Sequence, residues 1–323
     1  MTGDAETFGM IGRDAKLRQI INTIQTAAPS DAAVLIEGES GTGKQLMAAA
    51  IHARSRRSSG PFVRINCAAI PAELLEAELF GDRHKRGLME AASFGTLLLD
   101  EIAEMPAYLQ TRLSRVLQER KLCRLGDDVQ RALDCRLIVT TNRNTSVLLH
   151  EDVLRRDLYF RISTIKIEVP ALRDRLDDIP LIAQRFLERF NTQYNKRIRS
   201  ISQEAVVRLQ RYDWPGNIRE LEGVIERAVL FCPGDELLPE CLPEQLQNKN
   251  SRQVSFVIPP LIAMEDIERE AILQTLARTS GNVKRSAQIL RYPRPTFYRK
   301  LKKFGIKVER NGSRAAGKLA TPV

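Results

Sequence analysis

The sequence predicts an α/β fold: a parallel five-stranded sheet with helices between its strands, continued by an all-helical subdomain and a separate all-α module. Three observations predict it. Short runs rich in Val, Ile and Leu alternate with longer helix-spaced patterns through the first half of the chain. The strand signal then disappears after about Leu176. The charge is also unevenly divided: the 323 residues hold 50 Lys and Arg against 40 Asp and Glu, yet 12 of those cations and the single acid Glu309 lie between Asn282 and Val323. The first 281 residues are close to neutral, which excludes a uniformly basic surface and leaves a basic module on a balanced body.

The expected strands are Ala33 to Glu37, Phe62 to Asn66, Thr96 to Leu99, Arg136 to Thr140 and Thr164 to Val169. Their lack of polar alternation suits a parallel sheet covered on both faces. Segments such as Lys44 to Ser55 and Tyr108 to Gln118 are long enough for crossover helices, which completes a βαβ pattern. Ile179 to Asn191, Ser202 to Tyr212 and Asn217 to Phe231 then carry helix-spaced apolar residues, the mark of a small helical subdomain. Pro243 to Pro260 reads as a linker in which Val254, Phe256, Val257 and Ile258 could add a short strand. At 43% hydrophobic residues the chain is globular, and no apolar run approaches the roughly 20 residues of a spanning helix. The first residues lack the basic and apolar regions of a leader, so a cytoplasmic protein without membrane contact is expected. The 5 cysteines are scattered with no C-x-x-C pair and the 3 histidines have no ligand spacing, so reduced, mostly buried thiols are expected.

Gly38-Glu39-Ser40-Gly41-Thr42-Gly43-Lys44 follows the first strand and opens a helix, the setting a phosphate-binding loop needs. Glycines let backbone N–H groups turn toward phosphate oxygens, the helix N-terminus adds positive charge, and Lys44 can reach the β and γ phosphates of ATP. Gln45 stands where the general pattern has Ser or Thr, so the usual hydroxyl ligand to Mg²⁺ is missing. Thr96-Leu97-Leu98-Leu99-Asp100-Glu101 supplies the other half of the site: Asp100 can hold Mg²⁺, and Glu101 can orient and deprotonate a water for attack on the γ phosphate.

Further blocks join these two: Asn66-Cys67-Ala68-Ala69-Ile70, Glu78-Leu79-Phe80-Gly81, Thr141-Asn142-Arg143, Arg156-Asp157-Leu158-Tyr159, Pro170-Ala171-Leu172-Arg173 and Trp214-Pro215-Gly216-Asn217-Ile218-Arg219-Glu220-Leu221. In order and spacing, over about residues 8 to 243, they resemble the AAA+ domain of bacterial sigma-54-dependent transcription activators. That resemblance implies an AAA+ P-loop NTPase core over 8–176 and a helical lid over 177–242. In that family the residue after the loop lysine is commonly Glu, so Gln45 is a modest departure. The resemblance further implies that Asn66 holds the catalytic glutamate, an act its amide could perform by hydrogen bonding to Glu101. It makes Thr141 and Asn142 the first sensor of the γ phosphate and Arg219 the second sensor. It makes Arg155 and Arg161 arginine fingers supplied to a neighbour's ATP, where guanidinium charge offsets developing phosphoryl charge. Fingers acting in trans imply self-association into a hexameric ring or similar oligomer when nucleotide is bound.

One block of the family pattern is absent. Relatives that remodel sigma-54 polymerase carry a Gly-Ala-Phe-Thr-Gly-Ala loop after the Glu-Leu-Phe-Gly block, whereas here Gly81 is followed by Asp82-Arg83-His84-Lys85-Arg86-Gly87-Leu88-Met89-Glu90-Ala91. The segment from Arg86 resembles what normally follows that loop, so the loop itself reads as deleted. This removes the usual contact with sigma-54 and makes regulation through another form of RNA polymerase holoenzyme, or repression, a serious alternative to direct sigma-54 activation. The sequence also starts almost at the AAA+ domain, with no room for a receiver or ligand-sensing domain, so control is expected from a separate regulatory protein unless the chain is a truncation.

After the linker, 243–262, Met264, Ile267, Ala271, Ile272 and Leu276 recur at helical spacing, and Gly281-Asn282 gives a helix stop and a fresh N-cap. A second helix over Val283 to Leu290 and a third from about Arg294 to Phe304 form a helix-turn-helix. Gly281-Asn282-Val283, Ala287-Gln288-Ile289-Leu290 and Thr296-Phe297-Tyr298-Arg299-Lys300-Leu301 resemble the Fis-type DNA-binding domain that ends the same family, here 263–307, with a disordered basic tail over 308–323. Arg294, Thr296, Tyr298, Arg299 and Lys302 are the expected contacts to double-stranded DNA, because early recognition-helix residues meet base edges and later cations meet phosphates. Phe297 and Leu301 are expected in the core, and Arg291, Pro293 and Pro295 are expected to reshape the turn. The sequence thus points to a DNA-binding transcription regulator with an ATP-hydrolysing domain. Its rivals are an ATP-driven DNA-associated remodeller and a pure DNA-binding repressor with a vestigial ATP site.

Overall fold

The computed structural model describes residues 10–247, 268–269, 271–273, 275–276, 279, 282–290 and 292–306. They divide into two compact units, one within 1–252 and the other within 253–323.

The first unit is built on a parallel sheet. Its strands are β1 (Val34–Glu37), β2 (Phe62–Asn66) and β3 (Thr96–Asp100), then, after a short antiparallel pair of β4 (Lys121–Leu122) with β5 (Arg131–Ala132), β6 (Arg136–Thr141) and β7 (Ile165–Glu168). The spatial order is β2-β3-β6-β1-β7. Every residue of β1, β3 and β6 is buried, while the edge strands β2 and β7 are only partly so. That pattern is why the three central strands read as unbroken apolar runs. The register pairs Glu37 with Thr141 and Asn66 with Asp100, which aligns the carboxyl ends of the strands. The candidate site lies along that edge, where ligands of open α/β sheets bind.

Helices cover both faces. Lys44–Ala53 buries Met47, Ala48, Ala50 and Ile51, and Ala107–Glu119 buries Leu109, Leu113 and Val116. The guanidinium of Arg136, 1% exposed, donates to the carbonyls of Ala27, Ala28 and Ala32 and thereby ties off the C-terminus of the helix Ala15–Ala27. Helices Ile179–Tyr194, Gln203–Arg211 and Asn217–Phe231 then pack around Phe190, Leu209, Trp214, Leu221 and Ile225 as a second core. The expected linker begins later than its composition suggested. Glu244–Gln247 forms one more helical turn, because Leu246 enters the second core and Arg208 donates to the Gln247 carbonyl at 2.9 Å. The strand expected around Val254 to Ile258 lies outside the described residues.

In the second unit Asn282 caps the helix Val283–Ile289, its side chain accepting from the Arg285 N–H at 3.0 Å. The helix Arg294–Lys303 follows, with Pro295 in its first turn, where no intrahelical donor is lost. Ile272, Leu276, Ala287, Phe297 and Leu301 make the core, and Tyr292 packs on it with its hydroxyl donating to Glu268. Met264, Ile267, Gly281, Arg291 and the tail over 308–323 lie outside the described residues.

Candidate nucleotide-binding site

The phosphate loop leaves β1 at the middle of the sheet. Gly41 and Gly43 take φ of +78° and +100°, a backbone region costly for any residue with a Cβ, and Gly43 becomes the N-cap of the helix Lys44–Ala53. Lys44 is 6% exposed; its Nζ donates to the Gly38 carbonyl at 2.7 Å and the Glu39 carbonyl at 3.2 Å, and lies 3.6 Å from Glu101. The cation is thus held inside the loop it serves.

Asp100 ends β3 and is 7% exposed. Its Oδ1 accepts the Thr140 hydroxyl and its Oδ2 accepts Gln45 Nε2 at 2.6 Å. Glu101 turns the chain sharply at φ +56°, rare for a residue with a side chain, and its carboxylate accepts the Asn142 N–H at 2.8 Å. Thr141 is fully buried; its carbonyl accepts the Gly38 N–H at 3.1 Å and its hydroxyl accepts the Arg143 N–H at 3.2 Å. Beyond it, Glu37 anchors the same loop by accepting the Thr145 hydroxyl at 2.7 Å. Lys44, Gln45, Asp100, Glu101, Thr141 and Asn142 therefore meet at one place.

The other residues expected there stand differently. Asn66 is exposed, and its amide oxygen accepts the Ala68 N–H at 2.9 Å. The expected hydrogen bond from Asn66 to Glu101 is not made: the turn after β2 engages the Asn66 amide oxygen, and the Glu101 carboxylate accepts the Asn142 N–H and lies by Lys44 instead. Arg155 caps the helix Arg156–Ile162 and Arg161 lies in its last turn, both exposed; Arg155 pairs with Asp157 at 3.0 Å and Arg161 donates to Gln118 at 2.8 Å. Arg219, at the start of the helix Asn217–Phe231, reaches Ser40 Oγ at 3.3 Å.

Several contributors were not assigned to this site from the sequence. Thr140 reads as one more strand residue, yet its hydroxyl orients Asp100 and accepts the Glu101 N–H at 3.3 Å. Asn217 and Arg173 both bind Glu39. A cavity of about 900 Å³ also opens beside Thr42 and Gly43, lined by Met10, Ile11, Met47, Phe186 and Ile218 among others. An apolar hollow next to a phosphate loop is a fitting receptacle for a flat base.

The Asp100 carboxylate, with the Thr140 hydroxyl beside it, matches the preference of Mg²⁺ for oxygen and for few protein ligands, while Gln45 turns its amide nitrogen to Asp100. No cluster of three His, Cys, Asp or Glu ligands occurs among the described residues. In the second unit Arg294, Tyr298, Arg299 and Lys302 are exposed on the recognition helix, Thr296 is half-buried, and Phe297 and Leu301 face inward as expected.

A glycine loop between a buried strand and a helix, faced by an Asp-Glu pair at the end of β3 and covered by a helical lid, defines an AAA+ P-loop NTPase. Residues 10–168 match the sigma-54 interaction domain, 173–256 the AAA+ ATPase lid domain, and 263–304 the bacterial regulatory proteins of the Fis family. The chain is 42% identical over 310 residues to transcriptional regulatory protein ZraR of Salmonella typhimurium, covering 93% of this chain and 70% of that protein. It is 42% identical over 294 residues to regulatory protein AtoC of Escherichia coli, covering 86% and 64%. Among solved structures it resembles NtrX from Brucella abortus in complex with ATP, at a TM-score of 0.70 and 34% identity, covering 92% of this chain and 69% of that one. The chain belongs to the sigma-54-dependent transcription activator family, with an AAA+ domain, its lid and a Fis-type helix-turn-helix. Among the described residues no helix is long and apolar enough to cross a membrane.

Proposed function

We propose that this chain is a transcription regulator that binds DNA through residues 263–307 and hydrolyses ATP at the site in its core, 8–176, under a lid formed by 177–242. The observation that carries this reading is the convergence of Lys44, Asp100 and Glu101 on the phosphate loop at the carboxyl ends of β1 and β3. The loop amides and Lys44 hold the phosphates, the sensors Thr141, Asn142 and Arg219 border them, and the apolar cavity takes the base. Asp100, with Gln45, would hold Mg²⁺, which supplies charge neutralisation of the phosphates. Glu101 accepts a proton from the attacking water, and its hold on the Asn142 N–H keeps the carboxylate aimed while the site is idle. Arg155 and Arg161, exposed and away from the loop of their own chain, suit fingers given to a second copy, so the active form is an oligomer up to a hexameric ring. Arg294, Thr296, Tyr298, Arg299 and Lys302 contact DNA.

The glutamate provides the test. Glu101→Gln is expected to cut ATP turnover by roughly 10²–10⁴-fold while leaving binding of a fluorescent ATP analogue intact. Turnover in Glu101→Gln equal to the parent would remove Glu101 from the chemistry, and a parent that never turns over ATP at any concentration would favour a vestigial site.

A second reading concerns the polymerase. Between Gly81 and Gly87 the chain makes a tight turn: Gly81 and Arg86 form an antiparallel bridge, Asp82 Oδ1 accepts the N–H groups of His84 and Lys85 at 2.7 Å, and the Leu125 N–H donates to the Gly81 carbonyl at 2.9 Å. A turn closed in this way projects no long loop. This favours action on housekeeping-sigma polymerase, or repression, over direct remodelling of sigma-54 polymerase. Transcription in vitro with polymerase carrying either factor decides: ATP-dependent activation with sigma-54 alone would overturn the second reading.

A further inference from the structure

Glu39 is out of place on electrostatic grounds. It puts a carboxylate inside a loop built to receive a polyanion, one residue before Ser40 and two before Gly41. Two residues from beyond the sheet take hold of that carboxylate. Arg173 grips it with both terminal nitrogens, Nη1 lying 2.8 Å from Oε2 and Nη2 facing Oε1. Asn217 Nδ2 donates to Oε2 at 3.1 Å and to the Ser40 carbonyl at 3.0 Å. Paired in this way, the Glu39 carboxyl titrates below its ordinary value, chiefly through the Arg173 hydrogen bonds.

The grip is itself anchored. Asn217 is fully buried with φ +52°, a conformation Asn tolerates, and its amide oxygen accepts the Leu172 N–H at 2.8 Å, so one side chain bridges the lid helix, the segment carrying Arg173 and the phosphate loop. Ile218 donates its N–H to the Gly41 carbonyl at 3.0 Å. At Gly41 an added Cβ would sit 2.2 Å from the Gly216 carbonyl oxygen. The loop and the start of the lid helix are thus joined through backbone and side chains.

From this geometry we infer that Glu39, Arg173 and Asn217 form a charge-neutralising latch that makes the phosphate loop competent for a triphosphate only while the lid holds it. The inference rests on the loop being an ATP site. Arg173 acts here as a positioning residue: its task is to cancel and turn aside the Glu39 carboxylate. Removing the arginine leaves an unpaired anion beside the phosphates, whereas removing the carboxylate as well takes away the reason for the arginine. A second anion is repelled most where a carboxylate is unpaired and partly shielded from water, as at a half-exposed position like this one.

The test is a double-mutant cycle on the full chain, read as the affinity for a non-hydrolysable ATP analogue by titration calorimetry. R173A should weaken binding about tenfold, within the range of directly coupled pairs. E39Q alone should tighten it slightly, and R173A/E39Q should return to within about twofold of the parent. If the double variant stays as weak as R173A, Arg173 is touching nucleotide or merely supporting the fold, and the latch is wrong. If R173A binds like the parent, the latch is likewise wrong while the site stands. K44A separates the two levels: it should lose the analogue whatever the state of the latch, and a parent that fails to bind it takes both readings down together.

Discussion

The two ends of this chain handle negative charge in opposite ways. In the nucleotide site the cations already have partners: Lys44 sits among the Gly38 and Glu39 carbonyls and Glu101, Arg173 holds Glu39, and Arg219 reaches Ser40 Oγ. On the recognition helix Arg294, Arg299 and Lys302 are exposed and make no ion pair among the described residues, whereas Lys300 pairs with Glu268. A site for one small ligand gains from cations fixed in advance, since each fixed donor spares ordering cost on binding. A face for a duplex gains from free cations, since displacement of counterions from the phosphates drives association. The excess of positive charge in the sequence therefore marks the module whose recognition helix leaves Arg294, Arg299 and Lys302 outside any ion pair among the described residues, and says nothing about the site whose cations are already held.

The largest expected break in that comparison lies on the DNA side. Arg299→Ala should weaken binding to a cognate operator by about 10–100-fold and relax preference among sequences, the loss of a base-edge contact. Lys302→Ala should cost less and equally on all sequences, with a shallower salt slope, as expected of a phosphate contact. Neither change should alter ATP affinity. Gel-shift titrations at several salt concentrations check this, and equal losses on operator and random duplex for Arg299→Ala would move that residue to the phosphate class.

The contrast also explains what was legible in the sequence. The five sheet strands could be placed within a residue or two because β1, β3 and β6 are covered on both faces, and the three lid helices because each buries one stripe. Phe297 and Leu301 followed from their four-residue spacing. The partners of the charged groups were not legible. Glu39 meets Asn217 across 178 positions of the chain and Arg173 across 134. Thr140 differs from the neighbouring Thr141 only by which side of the strand it faces. Asn66 stands differently: residue type and position at a strand end suit holding Glu101, but its amide oxygen is oriented by the Ala68 N–H, a local bond the sequence does not announce.

A smaller effect is expected where the nucleotide site departs from its relatives. Gln45 donates to Asp100, so a neutral amide lies against the carboxylate that would meet Mg²⁺, and the amide must turn its oxygen inward for the cation to be shared. Gln45→Glu places a second carboxylate there and should raise the affinity for a divalent cation by about fivefold to tenfold in the presence of an ATP analogue. Manganese in place of magnesium makes this measurable by electron paramagnetic resonance, independently of turnover. Unchanged manganese affinity would mean that residue 45 does not face the cation, and the site would owe its metal to Asp100 alone.

The smallest effect concerns the paired acids themselves. Glu90 is gripped by Arg124 through both Nε and Nη2, at 2.6 and 2.7 Å, which fastens the stretch after β4 to the helix following the turn at Gly81 to Gly87. In the helix Leu88–Ala91, the Arg124 hydrogen bonds hold the Glu90 carboxyl below its ordinary value of 4.5. A carboxyl depressed on folding contributes stability that is fully present above the unfolded value and is lost as pH falls through the folded one. Glu90→Gln lacks that contribution at every pH. The variant should therefore melt a few degrees below the parent at neutral pH, and the gap should hold down to about pH 5 and close only as pH drops beneath 4.5. A gap that closes between pH 8 and 6 would assign the effect to another group, and no gap at neutral pH would mean that this pair is a contact the fold does not lean on.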